Sequence, residues 1–398
     1  MKKDKTMSQF TFLLVKQLLR FLAFFFVGYR HKDHYKIKKN EPVLVLSNHQ
    51  TDIDSLLINL SFNRLLCAVA TDNLFKKGFF GWLLYKFGAI PKKKGSADLN
   101  SAVMMLKAIR GRKSVVLFPE GNRAYAEFQY YVSPGIARLI KSMKPTLVLF
   151  NLQGGTGTRP RFMRKRRIGK FYGEIKTVLK YEEYKDMSDE ELYKLIMNSL
   201  RVIDSESGEL YKSKIRGEYL ERMFFVCPSC NKVQTLYSKK EFITCTSCGF
   251  QAEFTENLRL KTNNASVNYT KLLDWYNYQI RWCQNFNNPD NKPIFIDHNV
   301  NLVTAEVNQK SKLLTRGKMV LFNDVLKIGD LAFELKKIEV SSPVSGTKLL
   351  FTYDKASYEI KGDDRFNPLK YSLMFNKLDT LMHQSNIDSY FKLEEITE

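Results

Sequence analysis

Phe and Leu dominate the run from Phe10 to Val27, where Lys16 and Arg20 are the only charges. Gln9, Lys16 and Arg20 recur at offsets of seven and four and share one helical face, while Phe12, Leu14, Leu18, Leu22 and Phe25 spread over the other sides. The uncharged run Phe21 to Tyr29 is about half of the ~20 residues needed to cross a bilayer. The pattern predicts a helix lying in a membrane interface rather than spanning it. Arg30, Lys32, Lys36, Lys38 and Lys39 would follow at head-group level. The same amphipathicity also suits a helix packed on a protein core. Val27-Gly28-Tyr29-Arg30 makes a poor signal-peptide cleavage site.

From Glu41 short apolar runs alternate with helical stretches. Pro42 to Leu46, Leu65 to Ala70, Ser114 to Phe118 and Thr146 to Phe150 read as buried strands; Asp54 to Leu60, Phe79 to Phe87 and Ala97 to Ile109 read as helices. This alternation predicts an α/β domain with a largely parallel sheet, whose functional residues sit where strands end.

Two polar clusters fall at such ends. In Ser47-Asn48-His49-Gln50-Thr51-Asp52-Ile53-Asp54, His49 and Asp54 would lie about 140° apart on a continuous helix. They meet only if His49 is on the loop and Asp54 in the first helical turn, where the carboxylate fixes one imidazole tautomer and strengthens the other nitrogen as a base. With no Ser or Cys nucleophile nearby, the pair suits direct removal of a proton from a substrate hydroxyl; the plainer role for Asp52 or Asp54 is a helix cap. In Phe118-Pro119-Glu120-Gly121-Asn122-Arg123, Gly121 allows close backbone approach and Arg123 offers a fork of donors suited to a phosphate. Between them, Gly88 to Gly95 forms a turn carrying Lys92, Lys93 and Lys94.

Asn48 to Asp54 resembles the N-H-x-x-x-x-D motif of the glycerolipid (lysophospholipid) acyltransferase family, and Phe118 to Arg123 resembles its F-P-E-G-T-R motif, in the family's order. The likeness covers Leu44 to Gly155. It implies acyl transfer from a thioester donor, acyl-carrier protein or acyl-CoA, to the free hydroxyl of a lysophospholipid acceptor such as 1-acylglycerol-3-phosphate. By that likeness His49 is the general base and Asp54 orients it, while Glu120, Gly121, Arg123, Lys92 and Lys94 serve the acceptor phosphate. The sequence departs from the pattern at Asn122, at Lys94, which stands where arginine is usual, and at Phe150-Asn151, where the last block's second proline is missing. Lysine binds phosphate as a point charge rather than a fork.

Charge sharpens the partner. With 63 Lys+Arg against 41 Asp+Glu the chain carries +22, which points to a polyanion. Arg159 to Arg167 packs basic residues without an acid and reads as a stripe for an anionic leaflet. An anionic membrane surface at the cytoplasmic face of the cell membrane, with the protein peripheral to it, is favoured over nucleic acid.

Ser188-Asp189-Glu190-Glu191 is a capping box, and Leu192, Leu195, Ile196 and Leu200 continue at helical spacing. Four of six cysteines then form Cys227-Pro-Ser-Cys230 and Cys245-Thr-Ser-Cys248, pairs separated by fourteen residues with hairpin-like alternation between them. That spacing predicts a zinc ribbon: four thiolates close the ion's coordination, so the Zn2+ is structural. Cys67 and Cys283 read as core thiols. A helix over Thr270 to Phe286, short alternating runs, and a closing helix over Pro368 to Met382 resemble a pleckstrin-homology-type barrel. The expected division is an interfacial helix (1–40), an acyltransferase domain (41–220), a zinc ribbon (221–256) and a β-rich domain (257–398). The rival expectation is a non-catalytic adaptor that binds lipid or nucleic acid on the same fold.

Overall fold

A computed structural model describes residues 7–31, 35–71, 74–75, 78–92, 99–125, 127, 132–305 and 311–383. The chain divides into two compact units, one of residues 1–160 and 167–211, the other of 161–166 and 212–398.

The first unit opens with helix α1 (Gln9–Leu22), whose Ser8 side chain accepts from the Thr11 N–H; a π-helical turn, Ala23–Val27, continues it. In order follow β1 (Tyr29–His31), β2 (Val43–Ser47), α2 (Asp54–Ser61), β3 (Leu66–Thr71), α3 (Gly78–Lys86), β4 (Ile90–Lys92) and α4 (Leu99–Arg110). Next come β5 (Ser114–Leu117), α5 (Gly135–Met143), β6 (Thr146–Gln153), the single turn α6 (Gly155–Thr158), β7 (Phe171–Leu179), α7 (Tyr181–Tyr184) and α8 (Asp189–Leu200). The strands form one sheet in the order β1-β7-β6-β2-β5-β3-β4. From β6 to β4 every pairing is parallel; β7 runs antiparallel to β6, and β1 pairs parallel to β7. The expected parallel sheet is therefore present, closed by a reversed pair that the hydrophobic pattern did not announce.

Strand alternation sorts the core into two layers. Leu44 and Leu46 of β2 face one layer with Met105 and Ile109 of α4, Ile136 and Ile140 of α5, and Leu192 and Ile196 of α8. Val43 and Val45 face the other, with Leu57 and Ile58 of α2, Phe171 of β7 and Ala23. Both faces of β2 are apolar because both are covered, which is why it reads as an unbroken hydrophobic run. The capping box forms as its spacing predicts: Ser188 Oγ accepts from the Glu191 N–H, and the Glu191 carboxylate accepts from the Ser188 N–H.

The second unit holds a four-stranded antiparallel sheet, in the order β11-β10-β9-β8, built from β8 (Leu236–Lys239), β9 (Phe242–Cys245), β10 (Gln251–Phe254) and β11 (Leu260–Thr262). Helix α9 (Leu272–Asn285) follows, and its Trp275 stacks on Phe224 at 4.3 Å and 7° while donating to the Val226 carbonyl. A seven-stranded antiparallel sheet comprises β12 (Phe295–Thr304), β13 (Leu313–Leu321), β14 (Val325–Ile328), β15 (Leu331–Glu334), β16 (Ile338–Ser345), β17 (Lys348–Tyr353) and β18 (Ala356–Lys361). Its order is β15-β14-β13-β12-β18-β17-β16, and helix α10 (Pro368–His383) ends the described chain.

One expectation needs correction. Arg159 to Arg167 is not an open basic stripe: Arg161 and Arg167 are buried, Arg159 pairs with Asp52 at 3.4 Å, and Arg164 pairs with Asp364. Only Arg164 and Lys165 are fully exposed, because the guanidinium groups serve internal acceptors such as the Pro343 carbonyl, reached by Arg161. The N-terminal helix, in turn, is continuous over Gln9–Val27, and by length and composition it is sufficient to cross a membrane. Its two charges meet the protein: Lys16 Nζ donates to the Phe62 carbonyl, and Arg20 lies 2.5 Å from His31 Nε2.

Candidate functional site

β2 delivers Asn48 and His49 at its C-terminal end, and β5 delivers Phe118 to Arg123 at its own. The two strands pair parallel through Leu44–Val115, Val45–Val116 and Leu46–Leu117, so both motifs emerge from the same edge of the sheet. Asn48 locks the first loop by donating to the Leu152 carbonyl and accepting the Leu152 N–H, each at 2.8 Å, so its amide imitates a strand partner on β6.

Asp54 is the first residue of α2 and fully buried. Its carboxylate reaches back over the loop: Oδ2 accepts the N–H groups of Gln50 at 2.6 Å and Thr51 at 2.8 Å and lies 2.8 Å from His49 Nδ1, while Oδ1 accepts the Thr51 hydroxyl. A helix N-terminus favours a carboxylate there. The sequence reading required His49 on the loop and Asp54 in the first turn, and that is the arrangement found. An imidazole donating Nδ1–H to Asp54 keeps Nε2 as its basic nitrogen.

The second motif touches the first at two points, and the residue that follows it adds a third. The Phe118 ring stacks on the His49 ring at 4.2 Å and 20°, Glu120 Oε1 accepts the His49 N–H at 3.3 Å, and the Ala124 N–H donates to the His49 carbonyl at 2.9 Å. Glu120 is buried, and its carboxylate accepts from the loop backbone. Gly121 holds φ +67°, and among the described residues beyond its chain neighbours a Cβ there would meet nothing within 4 Å, so the left-handed turn calls for glycine. Arg123 is partly exposed beside it, its N–H bonded to Asn122 Oδ1 at 3.1 Å. Lys92 ends β4 at the sheet edge, with β5 and β3 between it and β2. Lys94 lies outside the described residues.

Sequence reasoning missed the support behind this loop. Gln50 Oε1 accepts the Gly155 N–H at 2.9 Å, and Gln50 Nε2 donates to Asp204 Oδ2 at 3.3 Å. Asp204, fully buried, also accepts the N–H groups of Gly154 at 2.7 Å and Thr156 at 3.0 Å. A Cβ on Gly155 would fall 2.5 Å from Gln50 Oε1, so only glycine lets the turn approach. No local pattern marks Asp204, which sits far along the chain in a polar connection.

In the second unit, Sγ of Cys227 lies 3.7 Å from that of Cys248, and Cys230 lies 3.8 Å from Cys245; all four sulfurs fall within 4.8 Å of one another. A tetrahedral ion with bonds of ~2.3 Å separates its thiolates by about 3.8 Å, whereas a disulfide needs about 2.0 Å, so the four cysteines fit a metal ion and not two bridges. Both knuckles close alike: the Asn231 N–H donates to the Cys227 carbonyl and the Gly249 N–H to the Cys245 carbonyl, each at 3.0 Å. Burial pushes the Cys227 thiol up; at Cys245 burial acts the same way, but the Thr235 hydroxyl and the Ser247 and Cys248 N–H groups outweigh it and bring the thiol down to about 6. Cys67 and Cys283 are buried core thiols, as their apolar surroundings predict.

Residues 29–151 match the family model described as Acyltransferase, a span that takes in both motifs. Among solved structures the chain is similar to the 1-acyl-sn-glycerophosphate (LPA) acyltransferase PlsC from Thermotoga maritima, at 16% identity over 48% of this chain and 78% of that one, with a TM-score of 0.42. A comparison with curated proteins finds no match.

Proposed function

We propose that the first unit is a membrane-associated O-acyltransferase that moves a fatty acyl group from a thioester, on acyl-carrier protein or coenzyme A, to the free hydroxyl of 1-acylglycerol-3-phosphate, giving phosphatidic acid. The observation that carries this reading is the His49–Asp54 pair at 2.8 Å within the acyltransferase-matched segment. His49 Nε2 takes the acceptor's hydroxyl proton as the oxygen attacks the thioester carbonyl. The tetrahedral intermediate collapses with cleavage of the C–S bond, and the imidazolium returns the proton to the leaving thiolate. Asp54 holds the tautomer and balances the transient positive charge. Arg123, with Lys92 and Lys94, supplies positive charge for the acceptor phosphate.

The surface of α1 supports membrane association. Gln9 bonds Asn63 and Leu65, and Lys16 and Arg20 turn toward the domain, while Phe10, Leu14, Leu18 and Phe26 are 72, 62, 61 and 69% exposed. The helix thus directs its polar face inward and its apolar face outward. Monomeric soluble proteins rarely show so large an apolar patch, and an interfacial helix needs one. We further infer that the four cysteines hold Zn2+ as a structural ion with no open position.

The test is transfer from both thioester donors to a panel of glycerol phosphate and lysophospholipid acceptors. His49→Ala should lower turnover by about 10²-fold or more while keeping the wild-type circular dichroism spectrum. Wild-type turnover in this variant would remove His49 as the base. Failure of the native protein with every donor–acceptor pair would leave a non-catalytic lipid-binding adaptor.

A further inference from the structure

A cavity of about 500 Å³ opens at the edge of the first unit's sheet opposite the His49 site, where β3 and β5 begin. Lys38, Lys39, Arg64 and Lys113 line it, together with Met7 and Ser114. Among the described residues no carboxylate lines it; Glu41, which accepts the Lys38 N–H at 2.9 Å, is not part of the lining. Arg64 is fixed in place, since its two terminal nitrogens donate to the carbonyls of Glu41 and Arg112, whereas the three lysines are exposed. On the cavity wall, Ser114 is fully buried, and its hydroxyl has no hydrogen-bond partner among the described residues. Cys67, also on the wall, reports the field: burial pushes its thiol up while the charges of Lys113 and Arg64 pull it down.

Four cations, one of them the anchored Arg64, and no lining acid describe a receptor for a phosphate, and the volume lies within the usual range for small-ligand sites. Met7 and the first turn of α1 sit at its rim, so the helix whose apolar face points outward begins at this cavity. A helix lying in the interface places its end at head-group depth. We propose that this cavity binds the phosphate of an anionic lipid head group, at a site separate from the acyl-transfer centre. The anion chemistry stands on the cavity alone; the lipid as its source rests on the membrane reading of α1.

The test is calorimetric titration of the full-length protein with water-soluble dihexanoyl-phosphatidylglycerol, which offers no lysophospholipid acceptor hydroxyl. One site is expected, with dihexanoyl-phosphatidylcholine about tenfold weaker or more. The double variant Lys38→Gln/Lys113→Gln should weaken binding by about tenfold or more. Lys176→Gln/Lys194→Gln, which removes the same charge elsewhere on the unit, should leave it unchanged, and so should Arg123→Ala. Absence of binding, equal binding of the zwitterionic lipid, equal loss in the control pair, or loss confined to Arg123→Ala would each overturn the site. Inorganic phosphate binding as tightly as the lipid would overturn the lipid source and keep the anion site. Loss of acyl transfer with every substrate would leave these outcomes intact.

Discussion

At the scale of single residues, one carboxylate organises the loop after β2. Asp54 takes two backbone N–H groups, a hydroxyl and the imidazole, so it shapes the loop as well as orienting His49. Asp54→Asn keeps the volume but cannot accept all four donors. Its kcat/KM should fall by about 10²-fold or more, and its thermal midpoint should drop as well. Thr51→Val removes one of these donors and should cost about 1 kcal/mol in urea unfolding with a smaller loss of rate. Asp204→Ala strands the buried N–H groups of Gly154 and Thr156 and should destabilise the first unit by roughly 3 kcal/mol, seen as a fall of its thermal midpoint. The two motifs were legible in the sequence because each is contiguous: six or seven neighbouring residues carry their own chemistry. Asp204 was not, because its role is defined by Gln50 and a turn far away in the chain. Glu120 was legible as a site residue, yet its hydrogen bond to the His49 backbone could be seen only once β2 and β5 were side by side.

At the scale of elements, α1 separates what periodicity tells from what it leaves open. The offsets of Gln9, Lys16 and Arg20 defined a polar face, but a polar face reads the same whether it looks to water or to the protein. The structure turns it inward onto Phe62, Asn63 and His31. Burial, with the nearby charge of Arg20, lowers the Lys16 ammonium to about 8, below its unfolded value near 10.5. The unfolded chain therefore holds this proton more tightly. The cost of burying the charge is fully present below pH 8 and is relieved as pH rises toward 10.5, so stability gains with pH across that window. Hydrogen exchange of α1 in the absence of lipid should slow, relative to the exchange expected for unfolded peptide, from pH 8 to 10, and Lys16→Met should abolish that trend. On the outer face, Leu14→Asp/Leu18→Asp should abolish co-sedimentation with anionic vesicles while leaving soluble-substrate turnover in place. Strands β1 and β7 escaped the sequence reading for a different reason. β1 has three residues, and β7 has half-exposed positions with no strict alternation, so pairing rather than pattern makes them strands.

At the scale of the whole molecule, the +22 surplus is distributed rather than pooled. Part of it is internal, in Arg161, Arg167 and Arg222, where guanidinium groups serve as connectors. Part lines the cavity below the sheet. The two units also differ in what holds them. The first is built on a two-layer apolar core around one largely parallel sheet, the second on two antiparallel sheets, also with buried apolar residues, and a four-cysteine cluster. Purified protein should contain about one zinc per chain by metal analysis. Chelation should lower the melting transition of the second unit and release its thiols to Ellman's reagent, with the first unit's transition unmoved.

The reversed strand pair bears on how the chain can be made and divided. Tyr29, Arg30 and His31 of β1 have one neighbour in the sheet, and it is β7, at Phe171, Tyr172 and Gly173. During synthesis β1 must wait until that strand has emerged, and long-range pairing of this kind is slow. For all that time the apolar face of α1, which the finished unit also leaves outward, is already made. A ribosome working at a membrane would let the helix settle there before its own sheet is complete. By the same logic, a fragment cut at the limits of the family match, 29–151, would keep both motifs yet lose β7 and Asp204, and with them the closure of the sheet and the brace behind Gln50. The segment that carries the chemistry is shorter than the segment able to fold.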